Sequence, residues 1–148
     1  MKNLRIGFSP IGLLAVCFVM LPNVLSLFIY APVNALSQNE ANFWLWNLLE
    51  NIGRFGIMIT LCAFINKNNP IKNRRVDVMA IGSLIIYYAF WGFYFSGHFN
   101  AWILVGMAIA PSIFFLLTAW KLRNPFALSF ALLFALFHSA ITSSNLLF

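Results

Sequence analysis

The sequence predicts an all-α membrane protein, a five-helix transmembrane bundle that forms a single integral membrane domain over residues 1–148. Of its 148 residues, 62% are hydrophobic and only 8% are charged, which is more apolar surface than a soluble domain of this size can bury. The apolar residues also form runs of about 20 residues, the length at which a helix crosses a bilayer. These runs predict helices at about 6–31, 43–66, 78–97, 101–120 and 125–146.

The basic residues predict the orientation of this bundle. Eight of the nine Lys and Arg residues precede the first predicted helix or lie in the loops after the second and fourth, at Lys2, Arg5, Lys67, Lys72, Arg74, Arg75, Lys121 and Arg123. Because basic loops stay in the cytoplasm, we expect the N-terminus inside and the C-terminus outside a bacterial plasma membrane. The formal net charge of +6 then reflects orientation and contact with lipid headgroups, so no nucleic-acid partner is expected.

The first two helices carry the clearest local signals. The first apolar run is far longer than the roughly 7–15 residues of a signal-peptide core, so we expect it to be retained as a helix. Pro22 leaves the Phe18 carbonyl without its helical donor, which predicts a kink there, and Pro32 ends the segment. Trp44 and Trp46 place the start of the second helix at the outer interface, where indole rings accumulate.

The last three helices are bounded by capping residues and interfacial tryptophans. Asp77 is the expected N-cap of the third helix, whose aromatic residues, 87–95, are assigned to packing or to lipid rather than to a ligand cage. Trp102 and Trp120 mark the two ends of the fourth helix, and Pro111 interrupts its middle. The dipeptide 124–125, Asn-Pro, is a suitable cap and first-turn pair for the fifth.

The fifth helix has a stripe of small residues that recurs every four positions, at Ala127, Ala131, Ala135, Ser139 and Ser143. In lipid, such a stripe allows two helix backbones to approach closely. The neighbouring ridge is bulky, at Phe126, Phe130, Phe134, His138 and Thr142. We therefore expect helix five to wedge into the bundle, into a second copy of the chain in a homo-oligomer, or into a partner membrane protein.

The second helix is polar along one face. Asn47, Glu50, Asn51 and Arg54 follow the i, i+3, i+4, i+7 spacing of a single helix face. Glu50 precedes Arg54 by four residues, the favourable order for an ion pair. Because an arginine near the membrane centre costs on the order of 2.5–3.5 kcal/mol on insertion scales, a partner is expected for it.

Polar residues of two other helices lie at a similar depth. At 1.5 Å per residue, Glu50 lies about 10 Å below the outer surface, and Asn23 and His138 each about 12 Å below it. We therefore predict a polar pocket open to the outside. Its ligand-binding residues are Glu50, Arg54, Asn51, Asn47, Asn23 and His138.

The same residues have a purely structural alternative, in which the ion pair and the amides only join helices. His138 is then a packed, hydrogen-bonded residue. Glu50 and His138 have no evident third ligand beside them, so no metal is expected. No cofactor motif is present, and no nucleophile accompanies the pair for acid–base chemistry, so an enzyme is the least favoured class.

Two short motifs resemble a known group of sequences. The residues "LPN" at 21–23 and "LLENIGR" at 48–54 are similar to a group of uncharacterised bacterial multi-pass membrane proteins. The resemblance covers the first two helices and implies that the Pro-Asn kink and the Glu/Arg face belong together.

From the predicted polar pocket, we expect a role in transport or small-ligand binding. The alternative is a role in assembly or immunity, as an accessory subunit that acts through helix–helix contacts.

Overall fold

The computed structural model describes residues 3–29, 40–41, 43–98 and 100–147. Residues 146 and 147 are described by their backbone alone. This part of the chain forms five helices, which confirms a helical fold with five helices. Their bounds are α1 Pro10–Leu25, α2 Trp44–Ala63, α3 Arg74–Phe95, α4 Ala101–Lys121 and α5 Pro125–Leu147. Two short strands, β1 Leu4–Ile6 and β2 Phe64–Asn66, pair antiparallel beside them.

Three of these helices, α3, α4 and α5, are long and apolar enough to cross a membrane. The chain is thus compatible with a membrane protein. The helix α1 is apolar but has only 16 residues. The helix α2 has 20 residues, but its polar face lowers its mean hydropathy.

The first helix is shorter than predicted at both ends. It begins at Pro10 and not near residue 6, because Leu4–Ile6 pairs with the strand after α2 and Ser9 caps the helix by accepting a hydrogen bond from Gly12 N at 3.1 Å. It ends at Leu25, followed by a turn. The predicted end at residue 31 and the stop at Pro32 lie outside the described residues.

The boundaries of α2 and α3 also differ from the prediction. The helix α2 ends at Ala63, since residues 64–66 form β2. The helix α3 begins at Arg74, four residues earlier than predicted, because Asn73 is its cap and accepts a hydrogen bond from Arg75 N at 3.0 Å. The expectation that Asp77 caps this helix is therefore wrong. Asp77 instead lies in the first turn and forms an ion pair with Lys121.

The start of α5 agrees with the prediction and ties two helices together. Asn124 accepts a hydrogen bond from Ala127 N at 3.0 Å, and its side-chain amide donates to the Thr60 and Phe64 carbonyls at 2.8 and 3.2 Å. The residue is 1% exposed. One buried side chain thus caps α5 and binds the end of α2.

The helix α5 packs between α2 and α4, and α3 packs on the other side of α4. Gly53 faces the Phe134 backbone, so a Cβ at Gly53 would lie only 2.6 Å from Phe134 N. Ala127 and Ala131 are fully buried. In this half of α5, the small-residue stripe therefore packs inside the bundle. A partner protein that binds α5 has to contact other residues of the helix.

The helix α1 completes the bundle through contacts with α2, α3 and α4. The ring of helices runs α1, α2, α5, α4, α3 and returns to α1. Three aromatic residues of α3 face inward, Tyr87, Trp91 and Tyr94, whereas Phe93 is exposed. Most of the remaining apolar core comes from α4. A cavity lies between the helices at one end of the bundle.

Candidate functional site

A cavity of about 730 Å³ lies between the helices, and all five contribute to its wall. The six side chains that the sequence predicts as ligand-binding residues all line it, namely Asn23, Asn47, Glu50, Asn51, Arg54 and His138. Its mouth is at the end of the bundle where α2 begins and α5 ends, marked by Glu40 and Asn145. The helical spacing of α2 and the depths on α1 and α5 thus converge on one space.

Glu50 is the centre of the polar wall. One of its carboxylate oxygens, Oε1, forms the ion pair with Arg54 and lies 3.0 Å from Nδ1 of His138. Because an ionised carboxylate only accepts hydrogen bonds, Nδ1 carries the proton in this contact. The Glu50 side chain is 8% exposed, against 39% for Arg54 and 20% for His138. The carboxylate is buried, whereas the guanidinium and the imidazole remain accessible.

Phe134 holds the two nitrogen-bearing groups beside the carboxylate. The imidazole of His138 stacks on the Phe134 ring with centroids 4.7 Å apart and planes 16° from parallel. The Arg54 guanidinium carbon lies 5.9 Å from the centre of the same ring, within the range of a cation–π contact. Phe134 belongs to the predicted bulky ridge, in which it lies four residues before His138 on the same face of α5.

Asn23 joins the cavity wall to α3. Its side-chain amide donates to the Tyr87 hydroxyl at 2.9 Å and to the Val19 carbonyl at 3.1 Å. The Tyr87 hydroxyl in turn donates to the same Val19 carbonyl at 3.1 Å. Both donors of the Asn23 amide are therefore occupied, one within α1 and one in joining α1 to α3, and its acceptor oxygen is the group left for another contact.

Pro22 creates a second link between α1 and α3. Because proline has no N–H, the Phe18 carbonyl lacks its helical donor. The Tyr88 hydroxyl fills that vacancy and donates to the Phe18 carbonyl at 2.8 Å. Sequence reasoning found the freed carbonyl but not its partner, because the partner depends on which helix lies beside α1.

The other two amides of α2 have different surroundings. Asn47 forms two hydrogen bonds with the backbone of Ala41, accepting from its N–H at 2.8 Å and donating to its carbonyl at 2.9 Å. It therefore fixes the segment that precedes α2. Asn51, one turn deeper, is exposed, and its side chain forms no hydrogen bond with another described residue. Of the two, Asn51 is the amide available to a bound molecule.

The wall opposite α2 is mostly apolar and comes from α3 and α4. Pro111 lies at mid-helix, so the Met107 carbonyl is without its helical donor, and both residues line the cavity. Trp91 lines it as well, and its ring meets that of Tyr87 edge-on, with centroids 6.3 Å apart.

Two further properties of the lining concern catalysis and metal coordination. Glu50 and His138 are in contact, as acid–base chemistry requires. The hydroxyl groups of the described lining are those of Tyr87 and Thr142, and this lining includes no serine, cysteine or lysine. Among the described residues, no group of three His, Cys, Asp or Glu side chains is placed to hold a metal ion.

Comparisons with known proteins give no match, whether with protein-family models, with curated proteins or with solved structures.

Proposed function

We propose that the chain is a five-span plasma-membrane protein whose outward-facing cavity binds a small polar ligand, for transport or for recognition. The observation that carries this proposal is the cavity that gathers Glu50, Arg54 and His138 with exposed Asn51. A purely structural ion pair has no need of open space beside it. At about 730 Å³, the cavity falls within the range of small-molecule sites.

The outer surface of the bundle supports five spans. Every helix presents large apolar side chains, exposed and four residues apart, away from the core. These pairs are Leu14 and Phe18, Phe55 and Ile59, Ile81 and Ile85, Ile109 and Ile113, and Leu132 and Leu136. Soluble proteins rarely expose contiguous apolar surface on this scale, whereas a bilayer covers it on all sides. The polar face of α2 points to the cavity and not to lipid, which suits a spanning helix.

The charge distribution supports the orientation. The described basic residues apart from Arg54 lie at the end of the bundle opposite the cavity mouth, at Arg5, Lys67, Lys72, Arg74, Arg75, Lys121 and Arg123. By the positive-inside bias this end is cytoplasmic. The N-terminus is then inside, the C-terminus is outside, and the cavity opens to the exterior.

The lining indicates the kind of ligand. A half-exposed guanidinium, an imidazole and a free amide lie on one wall, and aromatic and methionine side chains lie on the other. Such a site fits a small molecule with one anionic or hydrogen-bonding end and one apolar side. Glu50 is the buried acceptor that holds Arg54 and His138 in position for it.

The test is retention of small molecules by the purified protein in nanodiscs. The protein is equilibrated with a pooled metabolite extract, washed, and the bound compounds are identified by mass spectrometry. We expect at least one compound to be retained by the wild type and lost in Glu50→Gln and in Arg54→Met. Asp77→Asn is the matched control, because it also removes a carboxylate that pairs with a cation, at the other end of the bundle.

Correct folding of each variant is verified by its monodisperse elution in size-exclusion chromatography. Equal retention in Glu50→Gln, Arg54→Met and the Asp77→Asn control contradicts the proposal. So does a wild-type protein that retains no compound from the extract.

A further inference from the structure

A second concave surface lies at the opposite end of the bundle. Its volume is about 750 Å³, and it is lined by the loop 67–72 together with Arg123. Lys67, Lys72 and Arg123 supply three positive charges, and all three residues are exposed. The lining includes no Asp or Glu. It is separate from the polar cavity of the proposed function.

This basic concavity is held by backbone contacts and is not a loose loop. Ile71 N donates to the Lys121 carbonyl at 2.9 Å, and the side-chain amide of Asn66 donates to the Arg123 carbonyl at 2.8 Å. Lys67 N donates to the Asn3 carbonyl at 2.8 Å. The loop is therefore tied to the corner between α4 and α5 and to the chain before β1.

The only acidic side chain described at this end is already neutralised. Asp77 forms its ion pair with Lys121, and Lys121 does not line the concavity. The charges of Lys67, Lys72 and Arg123 therefore have no carboxylate partner in the described structure. An anion that enters the concavity finds three cations with their charges uncompensated.

An apolar groove continues from the same arginine. A cavity of about 350 Å³ shares Arg123 with the basic concavity and is lined on its other side by Leu4, Ala119, Trp120, Pro125 and Leu128. Trp120 is 43% exposed at the end of α4. Leu132, one turn beyond Leu128 on α5, is also exposed.

We propose that this end of the protein binds one anionic phospholipid, independently of the proposed function. The phosphate lies against Lys67, Lys72 and Arg123, and one acyl chain follows the groove between Trp120 and Leu128. The adjoining apolar groove favours a lipid over a free phosphate ion, because only a lipid fills both spaces. Basic pockets at the ends of membrane helices bind acidic headgroups by the same chemistry.

The test is native mass spectrometry of the delipidated full chain, titrated with phosphatidylglycerol, phosphatidylcholine or inorganic phosphate. The site variant is Lys67→Gln with Lys72→Gln and Arg123→Gln. The matched control is Arg5→Gln with Arg74→Gln and Arg75→Gln. It removes the same charge from the same end of the bundle, but at residues that line neither cavity. Each of the three site residues is expected to contribute about fivefold to the affinity for phosphatidylglycerol, and the three together about a hundredfold.

We expect one phosphatidylglycerol to bind to the wild type and to the control variant, and to be weakened about a hundredfold in the site variant. Equal loss in both variants overturns the proposal, because it indicates diffuse surface charge. Equal binding of phosphatidylcholine also overturns it, as does saturation by inorganic phosphate alone, which indicates a free-phosphate site.

A second pair of variants tests the acyl-chain groove. Trp120→Ala removes the wall of the groove and is expected to weaken phosphatidylglycerol binding. Trp102→Ala removes an equally large, exposed indole from the opposite end of the same helix and is expected to leave binding unchanged. Equal effects of the two substitutions contradict the assignment of the groove.

Discussion

Asn124 provides the sharpest test of how the bundle is held together. Its side chain is almost fully buried and makes three hydrogen bonds, one to the start of α5 and two to the end of α2. Asn100 caps α4 in the same way but with one bond only, from Ile103 N at 2.9 Å, and it is exposed. The same substitution at the two positions therefore separates capping from the link between helices.

The magnitude follows from the bonds lost. A capping asparagine replaced by alanine costs about 1 kcal/mol, which is the expected loss of unfolding free energy for Asn100→Ala. Asn124→Ala also removes the two donations to α2, each contributing about 1 kcal/mol. The Thr60 carbonyl keeps the N–H of Phe64 as a donor, which moderates the loss. We expect a total of about 2–3 kcal/mol for Asn124→Ala.

The aspartate variants sharpen the comparison. Aspartate is as good an N-cap as asparagine, so Asn100→Asp is expected to change the unfolding free energy little. At position 124 an aspartate retains the cap but cannot donate to the α2 carbonyls, so Asn124→Asp is expected to destabilise. The assay is reversible unfolding in mixed micelles with increasing dodecyl sulfate, followed by circular dichroism. Equal losses for Asn100→Ala and Asn124→Ala, or a neutral Asn124→Asp, refute the reasoning.

Two further predictions use the same unfolding assay. Gly12→Ala is expected to destabilise the protein by about 1–3 kcal/mol, because the new Cβ meets the backbone carbonyl of Leu61. Gly82→Ala in α3 places no heavy atom within 4 Å of the new Cβ and is expected to stabilise the protein by about 0.5–1 kcal/mol. Equal effects of the two substitutions contradict the close approach of α1 to α2. Tyr88→Phe is expected to cost about 1 kcal/mol, and less in a Pro22→Ala background, where residue 22 regains an N–H for the carbonyl that Tyr88 now satisfies. Additive losses in that double-mutant cycle contradict the link.

The sequence predicts the helices well because apolar runs of bilayer length are a local signal. It predicts their ends less well where the boundary depends on distant residues. Ile6, the predicted start of the first helix, belongs instead to β1, which pairs with Phe64–Asn66 some 60 positions away. In the structure, Ser9 and Pro10 form the cap and first position of α1, the residue types that favour these positions.

The polar face of α2 was predictable for the same reason, since the spacing of Asn47, Glu50, Asn51 and Arg54 depends only on helical periodicity. Depth counting also placed His138 level with Glu50, and the two are in contact. The contacts of Tyr87 and Tyr88 with α1, and of Phe134 with Arg54, were not predictable, because they depend on which helices are neighbours.

The central claim, an outward-facing wet cavity, is tested most directly by thiol labelling of intact cells. In a background with Cys17 and Cys62 replaced by alanine, single cysteines are placed at Asn51 in the cavity, at Ile59 on the apolar face of α2 and at Lys67 at the basic end. A membrane-impermeant reagent added outside is expected to modify Asn51→Cys, to leave Ile59→Cys unmodified, and to reach Lys67→Cys only after permeabilisation. An Asn51→Cys variant that is modified only after permeabilisation or not at all, or a Lys67→Cys variant modified from outside, contradicts the account.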